Sequence, residues 1–210
     1  MFRTRINEGM VGIVYKNGNY NRIEQAGTFW LMPNESVETC KVDTLYGPFA
    51  KLDIMLKDDR FRAMVELLEL NDSQIALQFV NGNFVSVLKA GRYFYFKGFA
   101  NIKFVVVNLS KVEITEGIDL AVLLRSEVAQ YIRAFSVLPY EEGLLFVDGK
   151  FQRKLTKGTY YFWKNPITVE VLKADLRQLQ MEVSGQEILT MDKAALRVNF
   201  YAQYRVVDTE

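Results

Sequence analysis

Three oxygen-bearing side chains recur in register along this 210-residue chain: Asp43, Asn108 and Asp175, each 16 or 17 positions after a glycine (Gly27, Gly91 and Gly158). A carboxylate set is the raw material of general acid–base chemistry or of a hard-cation site. Asx residues at strand ends more often close turns on their own backbone, and that is the role expected here. Thr190 and Asp192, in the run Thr190-Met191-Asp192, are expected to form a polar turn between two strands rather than a metal site. Cys40, the sole cysteine, sits in the alternating stretch VETCKVD with Lys41 as its only basic neighbour, the setting of an inert thiol. It also excludes an internal disulfide and any multi-cysteine metal centre. There is no histidine, which removes Ser-His-Asp and Cys-His catalysis and histidine-containing metal sites. No phosphate-binding loop, nucleotide fingerprint or paired catalytic carboxylate is present. The residues therefore point to no enzyme: no catalytic, cofactor-binding or metal-ligating residue is assigned, and no cofactor is expected.

Charge narrows the partners. Lys and Arg number 26 against 25 Asp and Glu. Residues 1–68 carry nine basic and nine acidic groups, 69–135 seven and six, and 136–210 ten and ten. No segment shows the basic excess of a nucleic-acid binder, nor the polybasic cluster that draws a chain to anionic lipid. The longest charge-free run, Ser73 to Leu88, is 16 residues and is interrupted by polar side chains, too short and too polar for a bilayer span. The N-terminus has no continuous apolar stretch and is not a signal peptide. An intracellular, soluble piece is expected.

The elements that must position these residues come as a triplicate. GIVYKNGNYNRIEQAGTFW from Gly12, ALQFVNGNFVSVLKAGRYFY from Ala76 and LLFVDGKFQRKLTKGTYYF from Leu144 align. Asn17-Gly18, Asn81-Gly82 and Asp148-Gly149 are the pairs a two-residue type I′ hairpin favours. Counting outward from each turn, the second pair is aromatic on both sides: Tyr15 with Tyr20, Phe79 with Phe84, Phe146 with Phe151. An aromatic pair also follows each second glycine: Phe29-Trp30, Tyr93-Phe94 and Tyr160-Tyr161. These last could stack on a ligand or dip into lipid headgroups; sheet packing is the expectation.

Between the hairpins, Phe61, Met64, Val65 and Leu68, and then Val128, Tyr131, Ile132 and Phe135, follow i, i+3, i+4, i+7 and predict helices, with Asp58 or Asp59 and Ser126 as N-caps. Further on, ITVEVLKADLRQLQMEV reads as one long strand ending at a turn at Ser184-Gly185-Gln186. A half-buried strand follows, with Val198, Phe200, Ala202, Tyr204 and Val206 on one side. The expected class is α+β, mainly antiparallel β. Three tandem hairpin modules, 1–68, 69–135 and 136–210, are separated by short amphipathic helices.

The third copy resembles the start of the SPFH (band 7) domain of stomatins, prohibitins and flotillins. The resemblance rests on Glu142-Gly143-Leu144-Leu145, Val147-Asp148-Gly149-Lys150, Gly158-Thr159-Tyr160-Tyr161-Phe162, Pro166-Ile167 and Ala174-Asp175-Leu176-Arg177. It continues through Gln186-Glu187-Ile188-Leu189-Thr190-Met191-Asp192 and Tyr204-Arg205-Val206-Val207-Asp208. Copies one and two match only the hairpin, as degenerate duplicates similar to those of bacterial slipin-type proteins. The resemblance implies a non-catalytic scaffold, cytoplasmic and peripheral to the inner membrane. It would organise membrane regions or partner proteins and self-associate through a helical region that this chain lacks, so that the chain would be the N-terminal fragment of a longer protein. Membrane contact would come from regions missing here. The alternative is a soluble β-rich module binding a small apolar ligand or a protein through its aromatic faces.

Overall fold

Each hairpin closes where the sequence offers an Asx–Gly pair. In the computed structural model, which describes residues 2–48, 52–98 and 101–209, φ is 49° and 76° at Asn17 and Gly18, 52° and 81° at Asn81 and Gly82, and 50° and 71° at Asp148 and Gly149. Both central residues of a type I′ turn need this left-handed conformation. Every repeat is then built from five antiparallel strands. The first has β1 (Phe2–Ile6), β2 (Met10–Lys16), β3 (Asn19–Glu24), β4 (Gly27–Leu31) and β5 (Glu35–Lys41). The short strand β6 (Leu45–Tyr46) and the helices α1 (Leu52–Met55) and α2 (Asp59–Met64) lead to the second repeat. That repeat has β7 (Val65–Leu70), β8 (Gln74–Val80), β9 (Asn83–Leu88), β10 (Gly91–Phe96) and β11 (Ile102–Asn108). Helices α3 (Leu120–Leu123) and α4 (Ser126–Ala129) precede the third: β12 (Ile132–Val137), β13 (Glu141–Val147), β14 (Lys150–Leu155), β15 (Gly158–Trp163) and β16 (Val169–Asp175). In each repeat the second strand is central to a three-stranded sheet (β3–β2–β5, β9–β8–β11, β14–β13–β16), while the first and fourth form a ribbon (β1–β4, β7–β10, β12–β15).

The aromatic pairs beside the turns face each other, Tyr15 opposite Tyr20, Phe79 opposite Phe84 and Phe146 opposite Phe151. The two phenylalanine pairs meet edge to face with centroids 6.0 and 5.7 Å apart. Directly beyond each pair the register slips and leaves Asn21, Val85 or Gln152 unopposed. A bulge in the same place three times tightens the twist of each hairpin. Each ribbon then lies on its own sheet, and the third residue of the central strand must be small to admit it. A Cβ added at Gly12 would come within 2.3 Å of Ile6 Cδ1, and one at Gly143 within 3.0 Å of Val137 Cγ2 and Val171 Cγ1. The middle repeat has the fully buried Ala76 here, beneath Leu70.

The helical periodicity is corrected by this arrangement. Only its start is helical: α2 ends at Met64 and α4 at Ala129, Tyr131 lies in the turn after α4, and Val65 and Leu68, like Ile132 and Phe135, lie in β7 and β12. Local spacing cannot register that β10 and β15 need antiparallel partners, and pairing with them overrides the helix. Asp58 caps α2, accepting from the Arg60 amide at 2.9 Å. Ser126 is the first residue of α4, not its cap, which is Arg125.

One core joins the first two repeats. The outer face of β3–β2–β5 (Val11, Ile13, Ile23, Cys40) packs against Leu52, Met55 and Phe61 of the helices and Phe94 and Phe96 of β10. Phe61 meets Phe94 edge to face at 5.3 Å. Asp58 ties the layers together, because it also accepts from the Tyr20 hydroxyl at 2.7 Å. Partial burial works to raise the Asp58 carboxyl, but the hydroxyl and the helix amides outweigh it and hold the carboxyl below its usual range. The linkers also add strands: β6 pairs with the free edge of β10, Tyr46 opposite Phe94 and stacked on it at 5.3 Å. Likewise Glu113 bridges to Phe162, and Val112 O accepts from Trp163 N at 2.9 Å.

Past β16 the long strand expected from Ile167 to Val183 is broken at Asp175, whose Oδ1 accepts from Arg177 N at 2.9 Å and turns the chain. Strands β17 (Leu179–Leu189) and β18 (Ala195–Tyr204) follow. Ser184-Gly185-Gln186 is not the turn between them: it is a bulge inside β17, and the reversal falls at 190–194. By internal contacts the chain divides into two compact units, residues 1–111 with 115–130, and residues 112–114 with 131–210.

Gly12→Val and Gly143→Val should each cost about 1–3 kcal/mol by overpacking, read as a drop of about 2–4 °C in melting temperature per kcal/mol. An unchanged melt would refute the close approach of ribbon and sheet. Tyr95, part-buried on β10 and hydrogen-bonded to Glu66, has its hydroxyl pushed up to about 12, first by burial and then by that carboxylate. Because the folded value lies above the ordinary 10.0, this contribution to stability is full below pH 10 and is lost as pH rises through about 12. Ultraviolet titration of the wild type against Tyr95→Phe should show one tyrosine missing from the high-pH end of the curve.

Candidate functional site

The residues singled out for chemistry do not converge. Asn108 Oδ1 accepts from Ser110 N at 2.9 Å, and Asp175 closes its own turn as described. Asp43 accepts from the adjacent Thr44 hydroxyl at 3.3 Å. Arg177 forms a two-pronged ion pair with Asp175, which holds that carboxyl below its usual range, and lies 3.9 Å over the Tyr140 ring. Each Asx residue thus serves its own strand end. Among the described residues no three carboxylate or thiol groups come together as metal ligands. Cys40 is buried in the first core, where desolvation, and after it the Glu38 carboxylate, pushes its thiol up and away from the reactive thiolate. Thr190 hydrogen-bonds Asp192 and accepts from Ala194 N at 3.0 Å, a polar turn between β17 and β18.

The aromatics that follow the second glycines divide by repeat. Tyr93 and Phe94 are buried, and Tyr160 and Tyr161 are half-buried. The Tyr93 and Tyr160 hydroxyls donate to Lys89 O and Thr156 O, each at 3.0 Å, so these rings fold back over the preceding turn as packing elements. Trp30 alone stands exposed.

Residues 131–210 present a different kind of surface. Their core sits between the β12–β15 ribbon and the inner face of β14–β13–β16, with Val137, Leu145, Leu155, Phe162 and Val169 buried. Arg133 fixes the turn before β16, donating to Asn165 O at 2.8 Å and Ile167 O at 3.0 Å. Nothing in the sequence around Arg133 marks that role; the Pro166-Ile167 turn is the only hint. The ribbon β17–β18 has no such cover. Its register puts Leu179, Met181, Val183 and Ile188 on one face with Tyr204, Ala202, Phe200, Val198 and Leu196. Gln180, Glu182, Glu187 and Arg197 point the other way. The alternation expected from Val198 to Tyr204 is therefore correct, but the strand is not half-buried. Met181, Ile188, Leu196, Phe200 and Tyr204 all stand exposed, Phe200 at 47%. The apolar face of this ribbon is thus open among the described residues, a larger contiguous exposure than scattered surface apolar residues give.

This unit coincides with a known domain type. Residues 135–210 match the SPFH domain / Band 7 family. Over 72 residues, 34% of this chain and 28% of the relative, it is 35% identical to an uncharacterized protein of Archaeoglobus fulgidus. Over 85 residues, 40% of this chain and 30% of the relative, it is 28% identical to stomatin of Mus musculus. The chain thus spans less than a third of the length of these curated relatives. No solved structure matches it.

Phe200→Glu should leave the melting temperature within about 0.5 kcal/mol equivalent of wild type, as exposed positions do. Leu145→Ala, at a side chain 1% exposed, should cost about 2–5 kcal/mol. A thermal melt of both variants checks the assignment of open and closed faces; equal losses would mean the ribbon is buried.

Proposed function

We propose that this chain is a non-catalytic scaffold and assembly part of a membrane-associated protein of the SPFH, slipin-like type, organising membrane regions or partner proteins. The observation that carries this reading is the uncovered apolar face of β17–β18 inside the segment that matches the family. A membrane surface, membrane proteins and further copies of the same chain are its partners. The cytoplasmic side of the inner membrane is its proposed place. No helix among the described residues is long and apolar enough to cross a membrane, and attachment through regions outside this stretch is part of the proposal. The three-part division 1–68, 69–135 and 136–210 is kept as the description of an ancestral duplication, of which the last copy became the SPFH part. The non-catalytic reading is supported by the separation of the recurring Asx residues, each engaged locally.

A second reading, a binding module for a small apolar ligand, is favoured by one feature. An open cleft of about 340 Å³ in the first unit is floored by Val11 and Val42 and flanked by Met10, Met64 and Lys97.

The test reads the gene past residue 210 and, where the frame continues, compares this chain with that longer protein. Light scattering and vesicle flotation should show large, membrane-bound assemblies of the longer protein and a small, non-floating species of the 210-residue chain. Phe200→Glu with Met181→Glu in the longer protein should reduce assembly while leaving the fold intact by circular dichroism. Wild-type-sized assemblies of that double variant would sink the role given to the ribbon.

A further inference from the structure

The three ribbons are equivalent in sequence and strand pairing but not in what covers them. In the second, the edge of β10 is paired with β6, and its outer face, Phe94 and Phe96 (each 1% exposed), lies under the first repeat's sheet and the helices. Arg92 on that face is met by Asp53 of the covering helix at 2.6 Å. In the third, the segment at Val112–Glu113 adds to the edge of β15. In the first, no described residue pairs with the outer edge of β4. Trp30 and Met32, at the positions of Phe94 and Phe96, are 54% and 51% exposed. Trp30 lies opposite Arg3 and Thr28 opposite Arg5, so both guanidinium groups share the tryptophan's face. Neither arginine forms an ion pair among the described residues, and Glu35, the acid that accepts from Met32 N at 2.9 Å, is already engaged by Arg22 at 2.6 Å.

We propose that the β1–β4 ribbon is a docking site for an extended acidic and apolar segment of a partner protein. The segment adds as a third strand along β4, places an apolar or aromatic side chain beside Trp30 and sets a carboxylate against Arg3 and Arg5. Main-chain hydrogen bonds along an open sheet edge supply affinity, and alternate side chains supply choice. The chemistry is that of the chain's own straps: Leu45–Tyr46 with Asp53 behind it on the second ribbon, and Val112–Glu113 on the third. A second copy presenting the same face is disfavoured, because it would set four arginines against one another without an acid between them. This inference concerns the first repeat and stands apart from the scaffold reading, which rests on β17–β18.

The probe is a capped peptide of the chain's own residues 42–47, Val-Asp-Thr-Leu-Tyr-Gly, added to the 210-residue protein. The chain has two tryptophans, and Trp163 is fully buried, so changes in emission report Trp30. The peptide should shift that emission to the blue, saturably, and shield Trp30 from iodide. Methylating two of its edge-facing amides should weaken binding about tenfold through the lost hydrogen bonds. Arg3→Gln with Arg5→Gln should weaken it several-fold and flatten its salt dependence. Since a short peptide binds weakly, the same segment is also joined ahead of Met1 by a Gly-Ser linker, which raises its effective concentration to the millimolar range. This form should shield Trp30 and raise the melting temperature, whereas one carrying proline at the tethered leucine should do neither. The proposal fails if the methylated peptide binds as well as its parent, or if the tethered strand leaves Trp30 open. It also fails if peptide cannot displace a Trp30 shift produced by phosphatidylglycerol vesicles or by self-association, which would make a membrane or a second copy the occupant.

Discussion

A two-stranded ribbon has two faces, and resting on its own sheet covers only one. That constraint governs the first 130 residues. Ribbon β7–β10 sets Tyr93 and Leu70 on its own sheet, and Phe94 and Phe96 must find shelter elsewhere. They find it beneath the sheet of the preceding repeat, so the largest core lies between repeats and not within one. The linker takes its form from the same need: α1 and α2 supply Leu52, Met55 and Phe61 to fill the gap, and β6 closes the open edge. Asp58 sits where these demands meet, capping one helix and receiving the Tyr20 hydroxyl from the earlier hairpin. The ion pairs around this frame, such as Arg92 with Glu69 at 2.9 Å, are exposed and add little to stability.

What was legible in the sequence was local. Asn17-Gly18 and its two counterparts determine both φ values of a turn, and a period of two places Tyr15 opposite Tyr20 without reference to the rest of the chain. What was not legible depends on distant partners. The stretch from Phe61 to Leu68 satisfies a helical spacing, yet its second half is taken by β10, which lies more than twenty residues further on. The recurrent bulge leaves no common mark, since Asn21 and Gln152 carry amides where Val85 is aliphatic. Gly12 and Gly143 look like ordinary strand glycines until Ile6 and Val137 are seen above them, and Ala76 hides the pattern in the middle copy. The sorting of Arg3 and Arg5 onto one face with Trp30 is likewise invisible to a tally of charge by thirds.

The segment that matches the SPFH family meets the same constraint and leaves it unresolved. Ribbon β12–β15 is seated on its sheet through Phe162 and Val137, but β17–β18 turns Met181, Phe200 and Tyr204 to the outside. An apolar face of this length, backed by Glu182, Glu187 and Arg197, is suited to burial against something rigid. Among the described residues this face is the largest feature of the segment that its own strands leave open.

Sharing a core between successive repeats also has a consequence for the order of events during synthesis. Within repeat 1 all strand pairings close early, since Met10 pairs with a residue as near as Lys41. Its outer face, with Val11 and Ile13, waits for Phe61 and then for Phe94 and Phe96, more than fifty residues later. At about 5–20 residues per second of translation, that apolar sheet stays bare for several seconds on the ribosome. The nascent chain therefore passes through a stage in which its first sheet is fully hydrogen-bonded yet adhesive. The second repeat, once made, acts as the lid of the first.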